Sequence, residues 1–126
     1  MNATQAEMKV LIAAISALRT PAIPGEYDIH QQIALALQQA QVDFTHEYRL
    51  GPRRRIDFRA GRIGIEVKKG RPVTSQLLTQ LRKYLESEDL DGMIVVTQRA
   101  VNLPATIYGK PVYLLSLNRL WGVALP

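Results

Sequence analysis

Two short runs of alternating apolar and polar residues, separated by three residues, constrain the fold of this chain more than any other feature. Residues 55–59 read RIDFR and residues 63–68 read IGIEVK, with Ala60-Gly61-Arg62 between them. In a strand, successive side chains point to opposite faces, and a short glycine-containing connection joins two antiparallel strands. The pattern therefore predicts a β-hairpin in the middle of the chain.

The alternation also predicts which residues of the hairpin share a face. Ile56 and Phe58 are expected to point into the core, which leaves Asp57 on the opposite face. Because the apolar rows of both strands must be buried together, a slip of one residue in the register is excluded. A tight turn at residues 60–61 then predicts that Asp57 lies opposite Gly64.

In this register Asp57 and Glu66 become diagonal neighbours on the face turned away from the core, and Gly64 leaves space between them. Diagonal positions are roughly 7 to 8 Å apart, close enough for two carboxylates to reach one ion. A hard cation such as Mg²⁺ takes oxygen ligands and keeps several waters. Lys68 would stabilise charge on an attacked phosphate or position an attacking water. The alternative is a solvent-facing Asp, Glu and Lys that form weak surface ion pairs.

Basic residues are concentrated around these two carboxylates. Of the 16 basic residues in the chain, eight lie between positions 53 and 71, where Asp57 and Glu66 are the only acids. A local cationic field of this kind suits a phosphate backbone, whose counterions are released when Lys and Arg replace them. The alternative is a solvated basic face without a ligand. The eight basic residues are Arg53, Arg54, Arg55, Arg59, Arg62, Lys68, Lys69 and Arg71.

The composition limits the possible classes of protein. With 126 residues, of which 47% are hydrophobic, the chain is expected to form one domain over positions 1–126. It has no cysteine, which excludes disulfides and thiolate zinc sites, and its two histidines alone cannot build a zinc site. The apolar stretch at residues 10–18 is too short to span a bilayer and lacks a basic leader. We therefore expect a soluble, cytoplasmic protein that has no membrane partner.

The remaining elements follow from periodicity and turn residues. Apolar residues at helical spacing predict three helices, and Ile29, Ile33 and Leu37 form the buried stripe of the second. Outside the hairpin, alternating or continuous apolar runs predict three further strands, with a polar loop at residues 98–110 and Leu120-Trp121 packing at the C-terminus. The predicted helices span residues 3–18, 27–40 and 73–86, and the predicted strands span residues 42–50, 92–97 and 112–117.

Asp57, followed after eight residues by Glu66-Val67-Lys68, resembles the motif of the PD-(D/E)xK nuclease superfamily, with Ile56 where the motif's name has proline. That superfamily includes restriction endonucleases, Holliday junction resolvases, and VRR-NUC and RecB-like nuclease domains. The resemblance implies an α/β fold with a restriction-endonuclease-like αβββαβ core, a mixed central sheet flanked by helices. This core would span residues 26–97, and residues 1–20 would form an N-terminal helical extension. It also implies Mg²⁺ or Mn²⁺ held by Asp57, Glu66 and the Val67 carbonyl, with Lys68 as the catalytic lysine.

Further positions extend the resemblance. A glutamate on the helix before the sheet is common in the family, and Glu26 is the first candidate for this metal ligand, followed by Asp28 and Glu47. The alternative role for Glu26 is to stabilise the positive N-terminal end of its helix. Gln80 and Tyr84 fit the QxxxY pattern of RecB-like nucleases, and their spacing places both on one helical face. Gln80 is therefore a candidate catalytic residue.

These observations predict a metal-dependent nuclease that hydrolyses DNA phosphodiester bonds. The expected cleavage is structure-selective or non-specific, because 126 residues leave little room for elements that read bases. Branched or recombination DNA is a possible substrate, and a homodimer is a possible assembly. The alternative is a non-catalytic nucleic-acid-binding or assembly protein on the same fold, and endonuclease and exonuclease action both remain open. The expected nucleic-acid contacts are Arg53, Arg54, Arg55, Lys69, Arg71 and Lys83.

Overall fold

The structure, a computed structural model, describes residues 2–17 and 26–120, and for residues 26–28, 119 and 120 it describes the backbone alone. The described residues form an α/β fold. The helices are α1 (Ala3–Ser16), α2 (Glu26–Gln39), α3 (Thr74–Leu85) and the short α4 (Leu117–Leu120). The strands are β1 (Thr45–Gly51), β2 (Arg54–Ala60), β3 (Ile63–Lys68), β4 (Gly92–Thr97), β5 (Thr106–Ile107) and β6 (Lys110–Ser116).

The six strands form one mixed sheet in the order β1-β2-β3-β4-β6-β5. The first three strands are antiparallel neighbours, whereas β4 runs parallel to both β3 and β6. A parallel neighbour requires a crossover connection, and α3 supplies it between β3 and β4. All six residues of β4 are buried, as its continuous apolar sequence predicts for a central strand.

Helices cover both faces of the sheet. On one face, α1 and α2 pack over β3, and α1 also contacts β4 and β6; on the other face, α3 packs over β2, β4 and β5. Each face has its own apolar core. The α2-side core includes Ile33, Leu37, Phe58, Ile63, Ile65 and Val67. The α3-side core includes Ile56, Leu77, Leu81, Tyr84, Leu90 and Met93.

Local interactions fix the ends of the first two helices. The side chain of Asn2 accepts a hydrogen bond from the N–H of Gln5 at 2.8 Å, and the Gln5 side chain accepts one from the N–H of Asn2 at 3.2 Å, which caps α1. After α2, Gln41 adopts a left-handed φ of 59°, and the N–H of Val42 bonds to the carbonyl of Leu37 at 2.9 Å. This C-terminal closure keeps residues 42–44 out of the sheet, so the strand predicted from residue 42 begins at Thr45 instead.

Most predicted elements are present with shifted ends. The predicted loop at residues 98–110 contains a short hairpin strand, β5, because Tyr108 and Gly109 both take positive φ angles and form the tight turn that precedes β6. Tyrosine is an unusual residue in such a turn, so the turn has little signal in the sequence. The predicted end of α1 at Leu18 and the packing of Trp121 lie outside the described residues. Within the described ranges no helix is long and apolar enough to cross a membrane.

The predicted hairpin is present, but its predicted register is wrong by two residues. Gly64 lies opposite Arg59, and Phe58 lies opposite Ile65, because the turn consists of Gly61 and Arg62, with a φ of +60° at Gly61. A shift of two residues alone changes the partner of each side chain but not the face on which it lies. Gly64 therefore does not leave space beside Asp57. It lies in the α3-side core, where an added Cβ would overlap the sulfur of Met93.

The prediction that Ile56 and Phe58 share a face is also wrong, since Ile56 packs in the α3-side core and Phe58 in the α2-side core. The reason lies in the neighbouring strand. Tyr48 pairs with Ile56 and His46 pairs with Phe58, but the residue between them on β1, Glu47, has a left-handed φ of 57°. This residue interrupts the alternation, so both strands exchange faces at the level of Asp57.

Candidate functional site

Asp57 and Glu66 lie where the backbone ladder between β2 and β3 stops. The last paired residues are Phe58 and Ile65. Beyond them, the two carboxylates accept hydrogen bonds from backbone N–H groups of the strands. Glu66 Oε1 accepts from the N–H of Asp57 at 3.3 Å, and Asp57 Oδ2 accepts from the N–H of Val67 at 2.7 Å. The two side chains are thus held together by direct reciprocal contacts between the strands. The sequence predicts their proximity, but across a glycine gap that does not exist.

The Glu66 carboxylate is almost fully buried, with 3% of its surface exposed. Its Oε2 lies 3.2 Å from Lys68 Nζ and 3.3 Å from the hydroxyl of Tyr84. Burial and the nearby charge of Asp57 raise the pKa of Glu66 to about 8, while Lys68 opposes this rise. A second positive charge close to the pair would favour the ionised form, so the pair is suited to binding a cation.

Gln80 and Tyr84 form the wall of the site on α3. Gln80 Nε2 donates to the hydroxyl of Tyr84 at 2.8 Å, as their predicted shared helical face allows. The same hydroxyl lies 3.1 Å from the carbonyl oxygen of Arg55 and within hydrogen-bond distance of Glu66. Burial and the charge of Glu66 raise the pKa of Tyr84 above its usual value. Gln80 is therefore linked to Glu66 through the Tyr84 hydroxyl, and its catalytic role stays a prediction.

A cleft of about 480 Å³ opens beside Lys68 and Tyr84, between α3 and the turn that joins β1 to β2. Four of its lining residues are cations, which matches a site for anionic phosphate. One of them, Arg54, also pairs with Glu86 at 3.2 Å. The lining cations are Arg53, Arg54, Lys68 and Lys83, and the polar lining residues include Gln76, Thr79, Gln80 and Tyr84.

The other basic residues of the central run divide into two groups. Arg55, Lys69 and Arg71 are exposed and lie outside the lining of the cleft. Arg59 and Arg62 support the fold: the guanidinium of Arg59 lies 4.5 Å above the ring of Tyr48, and that of Arg62 pairs with Asp91 at 2.6 Å. The charge pattern of the sequence does not distinguish these roles, because they depend on partners distant in the chain.

A histidine pair that was not predicted from the sequence lies on the other side of Asp57. His30, buried on α2, lies with its Nδ1 3.0 Å from Nε2 of His46, an exposed residue of β1. His30 Nε2 lies 3.6 Å from Asp57 Oδ2. Only the pairing of β1 with β2 brings His46 to this position, opposite Phe58. The sequence indicates each histidine but carries no signal for their contact.

Of the predicted accessory carboxylates, the structure describes the side chain of Glu47 alone. Helix α2 begins at Glu26, but the side chains of Glu26 and Asp28 lie outside the described part of the chain. Glu47 is exposed. Among the residues described, no group of three or more His, Cys, Asp or Glu side chains is arranged to hold a metal ion. The donors that remain are the carboxylates of Asp57 and Glu66 and the carbonyl of Val67, oxygen ligands of the kind Mg²⁺ and Mn²⁺ prefer.

The chain matches no known protein family, no curated protein and no solved structure. Its function must therefore be argued from the geometry of the site.

Proposed function

We propose that this protein is a metal-dependent nuclease that hydrolyses DNA phosphodiester bonds, with structure-selective or non-specific cleavage. One observation carries the proposal: Asp57 and the buried Glu66 are held together between two strands, and Glu66 contacts Lys68 and Tyr84, which line a cationic cleft. Acids that bind a cation, a lysine that stabilises charge and a cationic cleft for phosphate are the parts that phosphodiester hydrolysis requires. Surface ion pairs do not account for a glutamate with 3% exposure.

The order of elements supports a restriction-endonuclease-like core. From α2 to β4 the chain follows the order α, β, β, β, α, β, with two antiparallel pairs followed by one parallel neighbour. The residues that match the PD-(D/E)xK motif lie on the second and third strands of this unit. The N-terminal helix α1 packs on the same face as α2 and is additional to the unit.

Asp57, Glu66 and the Val67 carbonyl would hold Mg²⁺ or Mn²⁺. Two carboxylates suffice for this cation, because Mg²⁺ usually keeps several waters and gains further oxygens from a phosphate substrate. When bound, the metal ion would lower the pKa of a water and neutralise charge on the phosphate. The buried glutamate supports the fit, since a carboxylate beside Asp57 is costly to ionise without a compensating cation.

The residues of the chain have separate roles in this proposal. Lys68 is 29% exposed and bonded to Glu66, so its ammonium can face both the acid pair and a phosphate in the cleft. Arg53 and Lys83 hold flanking phosphates, which gives affinity without reading sequence. Tyr84 fixes the rotamer of Glu66 through its hydroxyl. Arg55, Lys69 and Arg71 extend the basic surface beyond the cleft.

The test is cleavage of supercoiled and branched DNA in Mg²⁺, in Mn²⁺ and in EDTA. We expect cleavage only with metal, and its loss in Asp57→Asn and Lys68→Met. Asp43→Asn and Lys9→Met are matched controls, because both residues are exposed and lie outside the site. Each control should cleave like the wild type.

Metal-independent binding of DNA without cleavage under any condition would refute the enzyme and favour a nucleic-acid-binding module. If DNA binding is absent as well, an assembly role gains support. Binding should weaken steeply with salt, since each phosphate contact releases counterions.

A further inference from the structure

We propose that His46 and His30 position the Asp57 carboxylate: His46 donates a hydrogen bond to His30 Nδ1, which places the proton of His30 on Nε2, the nitrogen that faces Asp57. The inference names two positioning residues that the proposed nuclease activity does not otherwise require. Its effect on metal binding rests on the proposed function, but the position of the proton can be measured in the protein without metal or DNA.

His46, His30 and Asp57 contact one another in succession, from the exposed His46 to the acid pair. His46 Nε2 lies 3.0 Å from His30 Nδ1, a normal hydrogen-bond distance. His30 Nε2 lies 3.6 Å from Asp57 Oδ2, the same oxygen that accepts the N–H of Val67. This second contact is longer than a hydrogen bond, so its effect is electrostatic.

The chemistry of imidazole determines which nitrogen donates and which accepts in each contact. A neutral imidazole has one donor nitrogen and one acceptor nitrogen, and the bond made by one nitrogen sets the role of the other. An ionised carboxylate only accepts, so the nitrogen that faces Asp57 is the one expected to carry the proton. His30 Nδ1 must then accept, and His46 Nε2 must donate to it. His46 thereby fixes both the tautomer and the ring orientation of His30.

Ring contacts orient the side chain of His46. Its ring stacks on Phe58, with centroids 4.6 Å apart and an interplanar angle of 22°, and it meets His30 edge to face at 5.2 Å. The next residue, Glu47, has the left-handed φ that turns the following side chains to the other face of the sheet. His46 is thus the last residue of β1 on the α2 side before the interruption, next to the level of Asp57. A backbone conformation of this kind costs free energy and often marks a functional site.

Two substitutions of His46 separate its donor from its ring. His46→Gln keeps an N–H that can donate to His30 but loses the stacked ring. His46→Phe keeps a ring that can stack on Phe58 but loses the donor. If His46 only supports the core, His46→Phe should resemble the wild type and His46→Gln should not. If His46 acts as a donor, His46→Gln should resemble the wild type and His46→Phe should not.

The direct test is a long-range ¹H–¹⁵N correlation spectrum of the histidines at about pH 8, without metal or DNA. We expect the proton of His30 on Nε2 in the wild type and in His46→Gln, and a mixture of tautomers in His46→Phe. A proton on Nδ1 alone, as direct metal ligation through Nε2 would require, overturns the proposal. Protons on both nitrogens also overturn it, as does an unchanged tautomer in His46→Phe.

The second test is Mn²⁺ affinity, measured by calorimetry without DNA and compared with the Mn²⁺ dependence of cleavage. Residues that orient metal ligands typically change metal affinity by 10-fold or more, so we expect a loss on the order of 10-fold in His46→Phe and near wild-type affinity in His46→Gln. Equal affinities in wild type and His46→Phe would refute the positioning role. If Mn²⁺ binds with this pattern but no DNA is cleaved, the proposed nuclease function fails while the positioning role stands.

Discussion

Replacing Glu66 with glutamine should stabilise the protein at alkaline pH in the absence of metal. In the folded state, burial and Asp57 raise the pKa of Glu66 from 4.5 to about 8. Between these two values the folded protein retains a proton that the unfolded chain has released. The free energy of unfolding therefore falls as pH rises, by about 1.4 kcal/mol for each pH unit, until it levels off above the folded pKa. Glutamine cannot ionise, so it removes this loss.

The size of the effect follows from that slope. From about pH 5.5 to about pH 8, the wild type should lose up to about 3 kcal/mol relative to Glu66→Gln, as an upper limit. For a domain of this size, about 3 kcal/mol corresponds to a difference in melting temperature of roughly 10 °C. At about pH 5 the difference should be smallest, because the wild-type side chain is then largely protonated in the folded state. The amide keeps a group of the same shape that can still bond to Tyr84.

The assay is chemical denaturation in EDTA across this pH range, with Glu88→Gln as the control because Glu88 is exposed. A stability difference between Glu66→Gln and wild type that does not grow with pH would refute the electrostatic argument for the acid pair. The experiment should then be repeated with Mg²⁺. The ion should raise the stability of the wild type at about pH 8 and have little effect on Glu66→Gln, since only the ionised glutamate is a full ligand.

Three further predictions test other parts of the site. The apparent affinity for Mg²⁺, measured by calorimetry, should rise about 10-fold for each pH unit up to about pH 8 and then level off, because binding must displace the proton of Glu66. An affinity that does not change with pH from about pH 6 would contradict the raised pKa of Glu66. Glu47→Gly should stabilise the protein by about 1 kcal/mol in denaturation experiments, because glycine adopts the left-handed φ of 57° without a steric penalty; a loss of stability would show that the Glu47 side chain makes a stabilising contact. Gly64→Ala should destabilise the protein by about 1–3 kcal/mol in the same experiments, because the added methyl group overpacks against Met93, Ile56 and Leu90. Unchanged stability would mean that these neighbours shift without cost.

Local sequence patterns predicted the elements that build the site. The alternation in residues 55–59 and 63–68 identified the hairpin, and the apolar stripe Ile29, Ile33 and Leu37 identified the buried face of α2. Both depend on periodicity within one segment, which a single sequence contains. The spacing of Gln80 and Tyr84 likewise placed two side chains in contact, because helical geometry fixes neighbours four residues apart.

The register of β2 with β3 and the side chains that contact the acid pair could be read only from the structure. The sequence predicted a turn one residue too early, and this small error placed Gly64 beside Asp57 when it lies in the α3-side core. The exchange of faces at Glu47 had no signal, because a non-glycine residue with positive φ follows no simple pattern. The contact of His30 with His46 depends on the pairing of β1 with β2, which is a long-range property.

The exchange of faces at Glu47 also bears on the function. Regular alternation would have carried Ile56 and Phe58 to the same core and left Asp57 on the α3 side. The interruption at Glu47 instead places Ile56 in one core and Phe58 in the other, with Asp57 between them, in contact with His30 of α2 and with the β3 backbone. Asp57 can therefore meet the histidine pair on one side and Glu66 on the other. An irregular backbone that costs stability at this one level, beside a buried carboxylate with a raised pKa, is better explained by a ligand for the acid pair than by packing alone.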